Sequence, residues 1–321
     1  MRSGRPGPSR SPPWRTIVST HPSVLVTDIS FAPELLLDLA RPASTERLPL
    51  LVWLHGGAWR MQDRTARPDL HRFASAGYVC VSIDYRLSSA APHPAQLLDV
   101  RAALRFLRER ADEYGIDPAR IGLWGSSAGG HLAALAGLTG DIDQYAAGEP
   151  SGDTSVQAVI DGYGPADLAG LSADAPADAP ELQLLGGPVG EHLEAALDAS
   201  PARRAHQGAP PILILHGDAD LLVPAEHSER LYDALAEAGS DAALYLIDGF
   251  GHGFLNPGDV AELGPDHVLD VGRLDSQPDA KTVRRSTPAL ADFTTAHPHA
   301  SFDTAMTFFD HVLTNSEEAL R

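Results

Sequence analysis

Residues 120–138, Arg-Ile-Gly-Leu-Trp-Gly-Ser-Ser-Ala-Gly-Gly-His-Leu-Ala-Ala-Leu-Ala-Gly-Leu, constrain this chain more than any other stretch. The apolar run 121–124 predicts a buried strand, and the small-residue segment that follows, rich in Ala and Leu, predicts a helix. Between them stands Gly125-Ser126-Ser127-Ala128-Gly129, a G-x-S-x-G pattern centred on Ser127. A connection this short forces its central residue into a strained conformation. Glycines two before and two after are required, because a Cβ there would strike the neighbouring strand or helix. The turn lifts the Ser127 hydroxyl clear of the backbone, at the positive end of the helix.

Seven further strands are expected, at 24–31, 35–40, 50–54, 78–85, 156–163, 211–216 and 242–248. The first two flank Ala32-Pro33 and read as an antiparallel hairpin at a sheet edge. Helices are expected at 68–76, 96–111 and 225–238, with Gly77 and Gly239 as stops. The second places Leu97, Val100, Leu104, Leu107 and Ala111 on one face and Arg101, Arg105 and Arg108 outside it. Residues 114–118 read as a turn, and a closing helix lies near 302–313. Strand and helix alternate from 50 to 248, which predicts an α/β architecture: a mostly parallel, roughly eight-stranded sheet with helices on both faces. Two stretches break the alternation. Residues 166–208, rich in Ala, Asp and Pro, are expected to form a small cap, and 257–300 a surface excursion. Residues 1–15 read as a disordered leader, because four arginines lie among Pro, Ser and Gly with no apolar core of a signal peptide. That leaves 16–321 as one domain.

The formal net charge of −19 argues against nucleic acid and anionic membranes as partners. No run approaches the roughly 18 apolar residues that span a bilayer, and a cytoplasmic location is expected. Cys80 is the only cysteine and lies in an apolar strand pattern, so it reads as a core thiol.

A serine hydroxyl becomes a nucleophile only when a base takes its proton and an acid orients the base. The G-x-S-x-G turn resembles the nucleophile elbow of α/β-hydrolases, and that resemblance implies that the acid and then the base follow the serine along the chain. The loop leaving the strand 211–216 carries Asp218 and Asp220; Asp220 is placed for the role, and Asp218 reads as a turn carboxylate. After the strand 242–248, Gly251-His252-Gly253 presents a histidine free to swing towards Ser127. Charge on a reacting carbonyl oxygen needs backbone N–H donors. Ala128, directly after the serine, supplies one. The loop His55-Gly56-Gly57-Ala58-Trp59 supplies the others from Gly57 and Ala58, with Gly56 as the alternative. His55 is expected to hold that loop, and His131 to be a structural donor. His297 and His299 lack ligand-spaced partners and read as solvated loop residues, so no metal is expected. No Walker A or G-x-G-x-x-G pattern occurs, so no nucleotide cofactor is expected. Trp59, Tyr163, Leu185 and Phe254 are candidate pocket residues.

In order along the chain, His55-Gly-Gly-Ala-Trp59, Asp84-Tyr-Arg-Leu-Ser88, Pro94-Ala-Gln96, Gly115-Ile-Asp-Pro118, Gly125-Ser-Ser-Ala-Gly-Gly-His131, Leu184-Leu-Gly-Gly187 and His216-Gly-Asp-Ala-Asp220 resemble one group. That group is the bacterial α/β-hydrolase esterases similar to bifunctional feruloyl and acetyl-xylan esterases, related to hormone-sensitive-lipase-like carboxylesterases and kynurenine formamidase. The resemblance covers about residues 45–255. It implies a cofactor-free serine hydrolase of the α/β-hydrolase fold, with Ser127, Asp220 and His252 as triad and His55-Gly56-Gly57 as oxyanion loop. Ala58 stands where the lipase-like relatives usually carry a third glycine; the H-G-G-x-W form is more like the formamidase and feruloyl-esterase branch. The segment 257–300 is longer than that pattern leads one to expect, and would cover the pocket or mediate assembly into a homo-oligomer. The expectation is a carboxylesterase acting on a small-molecule ester. An arylformamidase-type amidase is the alternative within enzymes, and a non-catalytic ligand-binding module the alternative outside them.

Overall fold

A strand covered on both faces has no polar side to alternate with, and Leu48–Leu54 (β3) accordingly buries every residue after its first. The computed structural model describes residues 23–170, 176–256 and 269–315. Around β3 the other strands are Ser23–Ala32 (β1), Leu35–Pro42 (β2), Val79–Ile83 (β4), Ile116–Ser126 (β5), Ala158–Gly162 (β6), Ile212–Gly217 (β7), Ala242–Ile247 (β8) and Thr282–Ser286 (β9). They form one nine-stranded sheet in the order β1-β2-β4-β3-β5-β6-β7-β8-β9. The strands from β4 through β8 run parallel, while β2 on one side and β9 on the other are antiparallel to their neighbours.

The register carries the function. Leu54 pairs with Gly125, Ser126 with Gly162, and Gly162 with Leu215, so β3, β5, β6 and β7 finish along one line. Loops leaving these strands therefore meet above one sheet edge, where open α/β sheets bind ligands.

One face of the sheet is covered by the helices Ala95–Glu109, Ala128–Gly137 and Glu226–Ala238. The other is covered by Leu70–Ser75 and Phe302–Asn315, where Trp124 packs edge-on against Trp53 and Phe73, each at 4.6 Å between ring centroids. Between β6 and β7 the described residues form two short helices, Pro180–Leu185 and Leu193–Asp198. They are latched to the body: the His93 amide donates to Leu184 O at 2.7 Å, and His93 Nε2 meets Asp198 Oδ2 at 2.7 Å.

Several expectations need correction. The sheet has nine strands, not eight: part of the excursion 257–300 becomes β9, and Leu274, Leu290 and Phe293 from the same region are buried. The strand leading to Ser127 begins at Ile116 rather than 121, directly after Gly115 turns the chain in the left-handed region at φ 67°. Arg101 and Arg105 are buried instead of facing outward. The segment after the helix Ala128–Gly137 folds back over them, and Glu149 Oε1 accepts from both, at 2.6 Å from Arg101 and 2.7 Å from Arg105. The leader 1–15 and residues 257–268 lie outside the described residues. Among the described residues no helix is long and apolar enough to cross a membrane.

Candidate active site

Between the end of β5 and the helix Ala128–Gly137 a single residue reverses the chain. Ser127 sits at φ 55°, ψ −119°, a backbone conformation costly for a residue with a Cβ. Its amide donates to Gly162 O on the neighbouring strand at 2.7 Å, which holds the strained turn in place. A Cβ on Gly125 would stand 2.4 Å from the Gly129 carbonyl carbon, and one on Gly129 only 2.0 Å from Leu54 O. Both obstacles are backbone and cannot rotate away. Gly129→Ala is therefore expected to destabilise the fold by about 3 kcal/mol or more, read as a lowered midpoint in urea denaturation. An unchanged midpoint would show that the turn has room to spare.

The structure brings Ser127, Asp220 and His252 together from three separate loops. Ser127 Oγ donates to His252 Nε2 at 2.8 Å, and His252 Nδ1 donates to Asp220 Oδ2 at 2.7 Å. All three are buried, which shields these contacts from competing water. The other carboxylate oxygen of Asp220 accepts from the amides of Leu222 and Val223, at 2.9 and 3.0 Å. Burial by itself would raise the Asp220 carboxyl. Hydrogen bonds from His216 and His252, the His252 charge and the Val223 amide outweigh it and hold the group well below the usual carboxylate range. Asp218 points elsewhere and accepts from the Gly249 amide at 2.7 Å, closing the turn after β8. The loop carrying His252 is tied back to the elbow by a bond of 2.9 Å from Ser126 Oγ to Asn256 Oδ1.

The loop after β3 is unusual in backbone geometry. Gly57, Ala58 and Trp59 all lie in the left-handed region, at φ 85°, 53° and 58°. A Cβ on Gly57 would meet Met61 O at 2.3 Å. Gly57 O accepts from the amides of Arg60 and Met61, so the loop closes on itself. Tyr85 stacks on His55 at 4.1 Å, and its hydroxyl donates to the carbonyls of His55 and Gly56 at 2.9 and 3.0 Å. His55 Nδ1 donates to Gly56 O at 3.0 Å, and burial lowers the His55 imidazole to about 4. The Trp59 indole donates to His131 Nδ1 at 3.1 Å, while His131 Nε2 donates to Ala199 O at 2.7 Å. Through this imidazole, lowered by burial to about 3, the loop, the elbow helix and the segment before β7 are joined.

Ser127 and His252 open into a cavity of about 400 Å³. Ala58, Trp59, Arg60, Met61 and Ala128 form one wall, Pro165, Leu222 and Val223 a second, and residues 176–181, with Asp178 and Glu181, the third. Of the four candidate pocket residues only Trp59 lines this cavity. Tyr163, Leu185 and Phe254 are in the core instead. The Tyr163 ring backs the His252 imidazole at 4.7 Å, and its hydroxyl accepts from the Leu255 amide at 3.1 Å. Arg60, Met61, Asp178 and Glu181 carried no local signal of their place. They reach the cavity only because the loop after β3 and the segment after β6 fold over the same strand ends. His297 and His299 are half-buried rather than solvated: His297 packs on Phe293 at 4.9 Å, and His299 Nδ1 bonds Ala280 O at 3.0 Å. Among the described residues no three His, Cys, Asp or Glu side chains are arranged to hold a metal ion.

The strand order, the elbow at the end of β5 and the three converging loops define an α/β-hydrolase. Residues 37–235 match the model of the BD-FAE family, and the chain belongs to that family. Esterase LipC of Mycobacterium tuberculosis (strain ATCC 25618 / H37Rv) is 36% identical over 260 residues, which take in 78% of this chain and 64% of LipC. Esterase LipQ of the same strain is 36% identical over 237 residues, 68% of this chain and 54% of LipQ. The chain thus spans between about half and two thirds of the length of these curated relatives. Among solved structures, a truncated form of a carbohydrate esterase from gut microbiota superposes with a TM-score of 0.64 at 31% identity, covering 73% of this chain and 90% of that one. A thermophilic esterase of Thermogutta terrifontis, solved with butyrate bound, superposes with a TM-score of 0.60 at 30% identity, covering 70% and 82%.

Proposed function

We propose that the protein is a serine carboxylic ester hydrolase that works through an acyl-serine intermediate on short-chain, aryl or sugar esters. The observation that carries this reading is the unbroken hydrogen-bonded chain from Asp220 through His252 to Ser127, opening into a cavity of substrate size. Ser127 Oγ attacks the ester carbonyl while His252 takes its proton. Asp220 keeps His252 in the tautomer whose Nε2 can accept, and stabilises the imidazolium. The alkoxide leaves with the proton that His252 returns. Water, activated by the same imidazole, then releases the acid and frees Ser127. The amides of Ala58 and Ala128, both in the cavity wall, hold the oxyanion of each tetrahedral intermediate, with Gly57 shaping the loop behind them. The esterase names of the relatives support the same reading.

Because the base is an imidazole, hydrolysis is expected to be lost in acid, where a protonated ring cannot accept from Ser127. Initial rates that stay flat down to pH 4 would contradict a histidine base. The direct test is turnover of p-nitrophenyl acetate, p-nitrophenyl octanoate and N-formylkynurenine. Ester turnover that declines with acyl length supports the reading. Preference for the formamide moves the assignment to an arylformamidase-type amidase. No turnover of any, together with failure of a fluorophosphonate to label Ser127, would point to a ligand-binding module.

A further inference from the structure

We propose that His216 is a positioning residue for the Asp220 carboxylate: its Nε2–H, bonded to Val223 O, fixes the loop that presents Asp220 and sets a positive dipole end 3.4 Å from the oxygen that also receives His252. The inference rests on the hydrolase reading above. His216 lies near the end of β7, fully buried, on the sheet face covered by the helix Glu226–Ala238. Its Nε2 stands 2.8 Å from Val223 O and 3.4 Å from Asp220 Oδ2. A carbonyl oxygen can only accept, so Nε2 carries the proton and donates it to Val223 O, with Asp220 Oδ2 standing 3.4 Å away as a longer electrostatic contact. On the far side of the ring, Nδ1 is 2.6 Å from Ser228 Oγ, whose hydroxyl donates to it. Both ring nitrogens are thereby occupied and the ring plane is held between β7, the loop after it and the helix.

The consequence for Asp220 is geometric and electrostatic. His216 Nε2 binds the same Val223 whose amide donates to Asp220 Oδ1, so one ring fixes both the loop and the carboxylate it presents. The positive end of the N–H dipole also takes part of the charge on Oδ2 that would otherwise act on His252 alone. The titratable groups facing this ring are Asp220 and His252 on the loops, Asp161 on β6, Tyr163 at 6.4 Å between rings, and His227 on the helix. Asp161 is buried beneath the first turn of the elbow helix, where its Oδ1 accepts from the Gly164 amide at 2.9 Å.

Two substitutions separate the two sides of the ring. Gln can extend an amide N–H to the reach of Nε2, whereas Asn reaches only the Ser228 side. His216→Asn is expected to lower kcat about 10- to 100-fold with KM nearly unchanged, the size of effect of a hydrogen bond to a charged group. The acid limb of its rate profile should also move to higher pH, because the whole carboxylate charge then stabilises the imidazolium. His216→Gln is expected to recover most of kcat and to return the limb towards wild type. Equal rate losses in both variants with an unmoved limb would reduce His216 to a packing role and overturn the proposal, as would wild-type kcat in His216→Asn. If His216→Asn does not fold, a wild-type rate profile in His216→Gln supports the proposal and a tenfold loss with an unmoved limb overturns it. Fluorophosphonate labelling of wild-type Ser127 distinguishes the failures: no labelling and no ester turnover would remove the hydrolase reading and this inference with it, whereas labelling with unresponsive variants removes the inference alone.

Discussion

Replacing Ser127 by alanine is expected to lower ester turnover by about a thousandfold to a millionfold, the range seen when a triad nucleophile is removed. Among the described residues lining the cavity, Ser127 is the only serine or threonine. The residual rate would come from the amides of Ala58 and Ala128 acting on a carbonyl attacked by water. The same position makes a second, opposite expectation. Because the residue is held at φ 55°, ψ −119°, a side chain there is strained and glycine is not. Ser127→Gly should be as inactive as Ser127→Ala but more stable than it by about 1 kcal/mol, once the extra freedom of the unfolded glycine is subtracted. Urea titrations of the two inactive variants read this directly. Equal stabilities would mean that the turn carries no strain, and undiminished turnover in Ser127→Ala would remove the assigned nucleophile.

The second large effect is loss of stability in mild acid. His55, His93 and His131 are buried, and burial lowers their imidazoles to about 4, 4 and 3 from the ordinary value of 6.5. Between that value and 4 the unfolded chain takes up protons that the folded chain refuses, so stability falls as pH falls through this window. Each ring held neutral by burial costs stability as the pH falls, a few kcal/mol at most, and the losses act in the same direction. Asp161 works in the opposite sense, since burial raises its carboxyl to about 6 and the folded state gains a proton there first. One carboxyl does not offset three imidazoles. Urea midpoints are expected to drop steeply from pH 7.5 to pH 5, and His131→Gln, which cannot take up the proton, should show a shallower drop. A midpoint independent of pH over this range would contradict the assignment of these rings as buried and neutral.

The parallel core was legible because its strands are short apolar runs between helix-forming stretches, and hydrophobic periodicity reports burial on both faces. β9 was not, because Thr282–Ser286 is an edge strand with Val283, Arg284 and Arg285 exposed, and an edge has only one neighbour to satisfy. Arg101 defeats the same logic in reverse. A helix face that carries arginine reads as outward, yet Glu149 and the carbonyls of Thr139 and Ile142, from more than thirty residues downstream, bury it. Ser127, Asp220 and His252 could be picked out because each stands just beyond a strand that periodicity locates, and parallel register then converges them. Leu185 stays out of the cavity because it ends the helix Pro180–Leu185 with its side chain in the core, and Tyr163 and Phe254 because proximity to a strand end says nothing of which way a ring turns. That depended on the loop after β3 and the segment after β6, whose packing no local pattern encodes.

The helix Phe302–Asn315 lies across β5, where a Cβ on Gly122 would stand 2.5 Å from the Phe309 ring. The strand that carries the elbow is therefore roofed by residues that leave the ribosome nearly two hundred positions later. Until that helix is made, Trp124 lacks two of the rings packed on it, Phe302 at 6.3 Å and Phe309 at 6.5 Å, and Phe73 lacks Phe302 at 6.2 Å. A nascent chain halted before Phe302 would carry Ser127, Asp220 and His252 and yet leave one face of the sheet uncovered, an aromatic surface suited to chaperone capture or aggregation. Emergence of the helix Phe302–Asn315, and not of His252, would then be the step that closes this face of the sheet.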